Sequence, residues 1–111
     1  MKHGERPKKE KETLKKIHIE HELFHYKMLS MTPEEIYQNC RQICFFECVY
    51  EYFQYKEEIC EEFVHAAWQG EAVLAELWGI YLKYEYLEMD TWEEIEEILA
   101  VYVKEHITER G

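Results

Sequence analysis

The chain almost lacks the residues that bend a backbone sharply: four glycines, two prolines and a single serine stand in 111 positions. Sheets need turns at close intervals, and turns draw on Gly, Pro, Asn, Asp and Ser for their special backbone angles. Long helices with few breaks are what this punctuation permits. Apolar residues make up 47% of the chain, enough for one core, and no apolar run approaches the ~20 residues that cross a bilayer. These features predict an all-α, compact single-domain bundle of about five helices, with residues 1–12 as a mobile basic tail and 13–111 as an acidic helical domain.

Leu14, Ile17, Phe24, Met28 and Met31 recur at helical spacing and place helix one from about Lys11 to Leu29. Thr32 then suits a cap, Pro33 the first turn and Glu35 the reciprocal capping position, with Met31 and Ile36 spaced as a hydrophobic staple. Helix two follows through Cys40, Ile43, Cys44, Phe46, Val49, Tyr50 and Phe53, apolar around most of its circumference and therefore central. Within it, Val49 to Tyr55 carries strand-like propensity. No glycine or proline lies between Glu34 and Gln69, yet an unbroken helix there would exceed ~50 Å. A break near Tyr55–Lys56 is expected, with helix three from Glu57 to Gln69 and Gly70 as its stop. Helix four spans Ala72 to Leu87 and buries Val73, Leu77, Ile80 or Tyr81, and Tyr84. Asp90 or Thr91 caps helix five, which turns Trp92, Ile95, Ile98, Leu99 and Tyr102 inward and Glu93, Glu94, Glu96 and Glu97 outward.

Charge is segregated. Residues 1–16 carry +4 of a net −11, which leaves −15 on the other 95 residues. A body this acidic repels phosphate backbones and attracts basic surfaces, so direct nucleic-acid binding by the body is not expected. The N-terminal run has no apolar stretch or small-residue cleavage site of a secretory signal, which points to the cytoplasm and to Cys40, Cys44, Cys48 and Cys60 as thiols. Their four-residue repeat is not the C-x-x-C pairing of a zinc site, and they read as small buried hydrophobes.

One motif looks catalytic. His21-Glu22-Leu23-Phe24-His25 matches H-E-x-x-H, whose histidines project from one helical face to hold zinc while the glutamate activates water. Both histidines fall on the apolar arc of helix one. Enzymes of that type set the helix behind a substrate-binding sheet, for which a basic tail leaves no room, and no third ligand stands out among so many carboxylates. The motif therefore reads as coincidental and the chain as non-enzymatic, without a cofactor. A metal-binding protein or small zinc hydrolase using His21 and His25 with Glu22 is the alternative. Ser30, the single serine, has no nucleophile-elbow context, and no glycine-rich phosphate loop exists.

The acidic residues form two clusters: Glu57, Glu58, Glu61 and Glu62 on one side of helix three, and Glu85, Glu88, Asp90, Glu93, Glu94, Glu96 and Glu97 from the end of helix four into helix five. Nine tyrosines and three tryptophans exceed what such a core easily buries, and Tyr52, Tyr55, Tyr84 and Tyr86 neighbour these clusters. Carboxylates on rigid helices with tyrosine anchors suit the Arg and Lys groove of a nucleic-acid-binding protein. Tyr84 and the two acidic clusters are thus the candidate partner-binding residues. A helical oligomerisation module, with acidity for solubility, is the remaining alternative.

At Pro33-Glu34-Glu35-Ile36, the following aromatic-rich helix and Val73-Leu74-Ala75-Glu76-Leu77-Trp78, the chain resembles a family of short acidic helical domains of unknown function from Firmicutes genomes and their mobile elements. The resemblance spans about Leu14 to Glu105 and brings no functional residues with it. It implies an accessory or counter-defence role; with the acidic helices, the reading is inhibition of a nucleic-acid-binding host protein, such as a CRISPR effector, by charge mimicry. The H-E-x-x-H falls where that family has an ordinary polar helix, and the histidine and cysteine clusters depart from its pattern.

Overall fold

The computed structural model describes residues 7–84 and 92–110, with the backbone alone for 107–110. It contains α1 Lys8–Leu29, α2 Pro33–Gln38, α3 Cys40–Tyr55, α4 Glu61–Trp68, α5 Val73–Lys83 and α6 Trp92–Arg110. No strand occurs among the described residues, and the fold is all-α as expected. The aromatic run from Val49 to Tyr55 is helical because burial overrides its propensity: Val49, Tyr52 and Phe53 reach the core at helical spacing. No helix among the described residues is long and apolar enough to cross a membrane.

Helix borders differ from expectation where local chemistry intervenes. α1 begins at Lys8, within the stretch expected as tail. Trp68 of α4 gives those first turns something to grip: its indole N–H donates to Glu12 at 2.8 Å, and the Lys9 ammonium lies 4.7 Å over the ring. The capping box forms, with the Glu35 amide donating to Thr32 Oγ1 at 3.2 Å and the Thr32 amide to Glu35 Oε1 at 2.9 Å. The helix it opens ends at Gln38, where Asn39 leaves helical geometry and its side chain turns back, Nδ2 donating to the Glu35 carbonyl at 2.8 Å. α3 then starts afresh.

Lys56 to Cys60 is not helical, which corrects the expected start of the next helix from Glu57 to Glu61. A helix through this stretch would stack Glu57 on Glu61 and Glu58 on Glu62, like charges one turn apart. The non-helical path avoids both pairs and carries Ile59 into the core. Gly70 does follow α4, its amide closing the last turn on Ala67. The end expected for α5 at Leu87 and the cap at Asp90 or Thr91 lie outside the described residues.

α3 is central, packed on α1, α2, α5 and α6. Its Phe45, Phe46, Val49, Tyr52 and Phe53 meet Ile17 of α1, Phe63 and Ala67 of α4, Leu74 and Leu77 of α5, and Ile98, Leu99 and Tyr102 of α6. Phe63 sits between Phe53 and Tyr102, with ring centroids 5.4 and 5.3 Å away; burying such a side chain stabilises the fold by ~1.5–3 kcal/mol. The inward face of α6 is as expected except Trp92, which is partly exposed and meets Tyr52 edge-on at 5.4 Å. The cysteines are thiols but not core residues: Cys40, Cys44 and Cys60 are exposed and Cys48 is half-buried. Each four-residue step advances ~40° around a helix, so a stripe at the core edge at Cys48 has turned into solvent by Cys40.

Candidate functional site

His21 is buried between α1 and α3. Its ring stacks on Tyr50 at 3.9 Å with 7° between planes, and Nε2 lies 2.8 Å from Glu47 Oε2. Nδ1 is buried without a hydrogen-bond partner. The ε-protonated tautomer fits this site, donating to the carboxylate and leaving only a lone pair unpaired. His18 Nδ1 meets the Tyr50 hydroxyl on the outer side. Burial, with the charges of Glu22 and Glu47, pushes the Tyr50 phenol up.

His25 does not share this environment. It is exposed, as is Glu22, so the expectation that both histidines occupy the apolar arc is correct for His21 alone. The arc narrows toward the end of α1, where Phe24 and Met28 are only half-buried and Leu23, Tyr26 and Leu29 face solvent. His21 directs Nε2 to Glu47 across the helix interface. Among the described residues no three His, Cys, Asp or Glu side chains converge as a metal-holding group.

The acidic residues are placed differently from one another. Glu57 and Glu58 lie in the α3–α4 connection and Glu61 and Glu62 in the first turn of α4, all exposed; the expectation that the four line one helix is corrected. Glu93 and Glu97 are exposed on α6 and Glu94 is half-buried. Glu96 joins the two clusters: it accepts from the Tyr52 hydroxyl at 3.0 Å and pairs with Lys56 at 3.3 Å, one residue before Glu57. Lys56 also lies 6.0 Å over Trp92. The described members of both clusters therefore flank one end of the bundle. Glu85, Glu88 and Asp90, together with Tyr86, lie outside the described residues.

The tyrosines divide in the same way. Tyr52 is a core residue rather than a surface anchor, and burial with the bond to Glu96 pushes its phenol far above the ordinary range. Tyr84 is half-buried against the core at the end of α5, while Tyr55 is exposed beside the acidic connection. Sequence reasoning assigned no role to Lys16 or Glu20; their i, i+4 spacing on α1 is the one signal available, and it does not say which elements they reach.

No family model matches the chain, and no curated protein or solved structure is similar enough to carry an inference.

Proposed function

We propose that this is a non-enzymatic interaction protein whose acidic end binds a basic protein surface, of the kind a nucleic-acid-binding protein uses to grip phosphate. The observation that carries the reading is the Lys56–Glu96 pair, which joins the segment of Glu57 and Glu58 to the start of α6. Exposed carboxylates from a connection, α4 and α6 thereby form one surface, with Tyr55 at its edge. An array of this sign accelerates encounter with a basic groove and competes with DNA or RNA there. Inhibition of a host defence protein such as a CRISPR effector by charge mimicry is the role in which that competition is useful, and it agrees with the resemblance to mobile-element domains.

The test is affinity capture from lysate at low and high salt, with nucleic acid added as competitor. A basic nucleic-acid-binding protein should be retained, released steeply by salt and displaced by the competitor, because exposed charges are screened over ~10 Å at 0.1 M. A captured partner that keeps its grip at high salt and binds nucleic acid simultaneously sinks the reading.

A further inference from the structure

Cys40 and Cys44 are exposed free thiols one turn apart on α3. Neither the acidic end nor the surroundings of His21 use them. Residues at i and i+4 share a helix face, with Cβ atoms ~5–6 Å apart. A disulfide needs its Cβ atoms ~3.5–4.5 Å apart, so these two thiols do not close on each other without deforming the helix. A metal ion held between two thiolates asks for a wider gap. At the ~2.3 Å typical of a metal–sulfur bond, a linear sulfur–metal–sulfur unit sets its sulfurs ~4.6 Å apart, against ~2 Å in a disulfide. The spacing that excludes the disulfide therefore admits the metal.

The number of ligands selects the ion. Among the described residues no third His, Cys, Asp or Glu completes a metal-holding group, whereas zinc takes three or four protein ligands. Cys44 and Cys48 repeat the same spacing, but Cys48 is half-buried, and it lies ~12 Å along the helix axis from Cys40, out of its reach. Cys60 stands beside Tyr52, toward the other end of α3. Two soft thiolates without further ligands suit a soft monovalent ion, and thiolate donors select Cu(I). We propose that Cys40 and Cys44 form a two-coordinate site for Cu(I). Each thiol releases one proton as its sulfur bonds the ion, and the copper stays monovalent, so the step needs neither oxidant nor reductant. The bound unit carries one negative charge, and Arg41, the neighbour of Cys40 in sequence, has the sign that offsets it.

Titration of the reduced protein with Cu(I) under nitrogen, against a chromophoric Cu(I) chelator, tests this, with circular dichroism to verify folding and light scattering to follow mass. The wild type should withdraw one Cu(I) per chain from the chelator without joining two chains. Its apparent affinity should rise with pH, because both thiols must lose their protons. Cys40→Ser and Cys44→Ser, both at exposed positions, should remain helical and each weaken binding by about a hundredfold or more, since one thiolate alone forfeits the gain of the linked second. Cys48→Ala and Cys60→Ser should bind as wild type does. Cys44→Ser with Gln42→Cys restores the number of thiols but turns the second one roughly 200° around the helix from Cys40, and should bind as weakly as Cys44→Ser. A wild type that leaves the copper with the chelator overturns the proposal, as does copper held only by linking two chains. A folded Cys40→Ser or Cys44→Ser protein that binds like wild type, or a relocated thiol that restores binding, does the same.

Discussion

Lys16 and Glu20 stand one turn apart on α1 and secure the two helix ends that face each other across the α4–α5 turn. The Lys16 ammonium donates to the carbonyls of Ala67, Trp68 and Gly70, the Trp68 bond being 2.8 Å. The Glu20 carboxylate accepts from the amides of Leu74 and Ala75 at 2.8 and 2.9 Å. Each charge meets the helix pole of opposite sign, a cation at the end of α4 and an anion at the start of α5. α5 has no side-chain cap of its own. Its N-terminal amides are satisfied by a residue 54 positions away, so this contact fixes where α5 lies against α1.

Glu20→Ala should therefore lower stability by about 1–2 kcal/mol, the cost of leaving partly buried amides without an acceptor. For a domain of this size that is a fall of about 4–16 °C in melting temperature. Lys16→Met retains the aliphatic stem and should cost less. Thermal melts read by circular dichroism check both, and a Glu20→Ala protein melting within about 1 °C of wild type sinks the assignment.

The same carboxylate predicts a pH dependence. Burial pushes Glu20 up, the amides of Leu74, Ala75 and Val73 pull it down, the neighbouring charge of Glu76 raises it, and the net direction is upward. The folded state then holds the proton more tightly than the unfolded state. Its contribution to stability falls as pH rises from the ordinary carboxylate pKa through the raised one. Glu20→Gln does not titrate, so its melting temperature relative to wild type should increase as pH rises from the ordinary carboxylate pKa and level off once pH has passed the raised one. A relative melting temperature that declines over that interval contradicts the direction.

His21 and His25 should part company under mutation. His21→Ala removes a ring stacked on Tyr50 and opens space between α1 and α3, a loss of about 1–3 kcal/mol. His25→Ala should stay within about 0.5 kcal/mol of wild type, as exposed positions do. Urea titrations compare the two. Metal analysis of untagged protein addresses the zinc alternative: stoichiometric zinc that survives dialysis and is lost in His21→Gln/His25→Gln would promote it.

The helical content was legible in the sequence because it rests on absences, of glycine and proline, and on periodic apolar residues that have one answer. The Thr32 capping box was legible because all its atoms lie within four residues. Long-range partners decided what was missed. Trp68 explains why α1 starts at Lys8, and a six-residue α2 reflects the Asn39 side chain turning back on Glu35. His21 and His25 share the same i, i+4 arc, yet only one has α3 above it. Tyr52 read as a surface anchor because its acidic neighbours in sequence were counted, whereas in space it is enclosed and Glu96 serves its hydroxyl. Composition shows that carboxylates are abundant; it does not separate those that hold helices together from those that face solvent.

That separation shapes the last prediction. Glu96 and Glu97 are adjacent, but Glu96 accepts the hydroxyl proton of buried Tyr52 and pairs with Lys56. Glu96→Lys leaves a buried donor unpaired and sets two cations together, and should destabilise by about 1–3 kcal/mol. Glu61, Glu62, Glu93 and Glu94 occupy first turns, where negative charge favours the helix. Glu57, Glu58 and Glu97 have neither attachment: two lie in the connection, the third is exposed beyond the first turn of α6, and reversing it relieves its repulsion with Glu93. Glu57→Lys/Glu58→Lys/Glu97→Lys should therefore melt within a few degrees of wild type while shifting the acidic end by two charge units per site. Association with a basic partner should weaken and lose part of its salt dependence. If this folded triple variant binds the captured partner with unchanged affinity and unchanged salt slope, the carboxylates at this end serve solubility and charge mimicry is wrong.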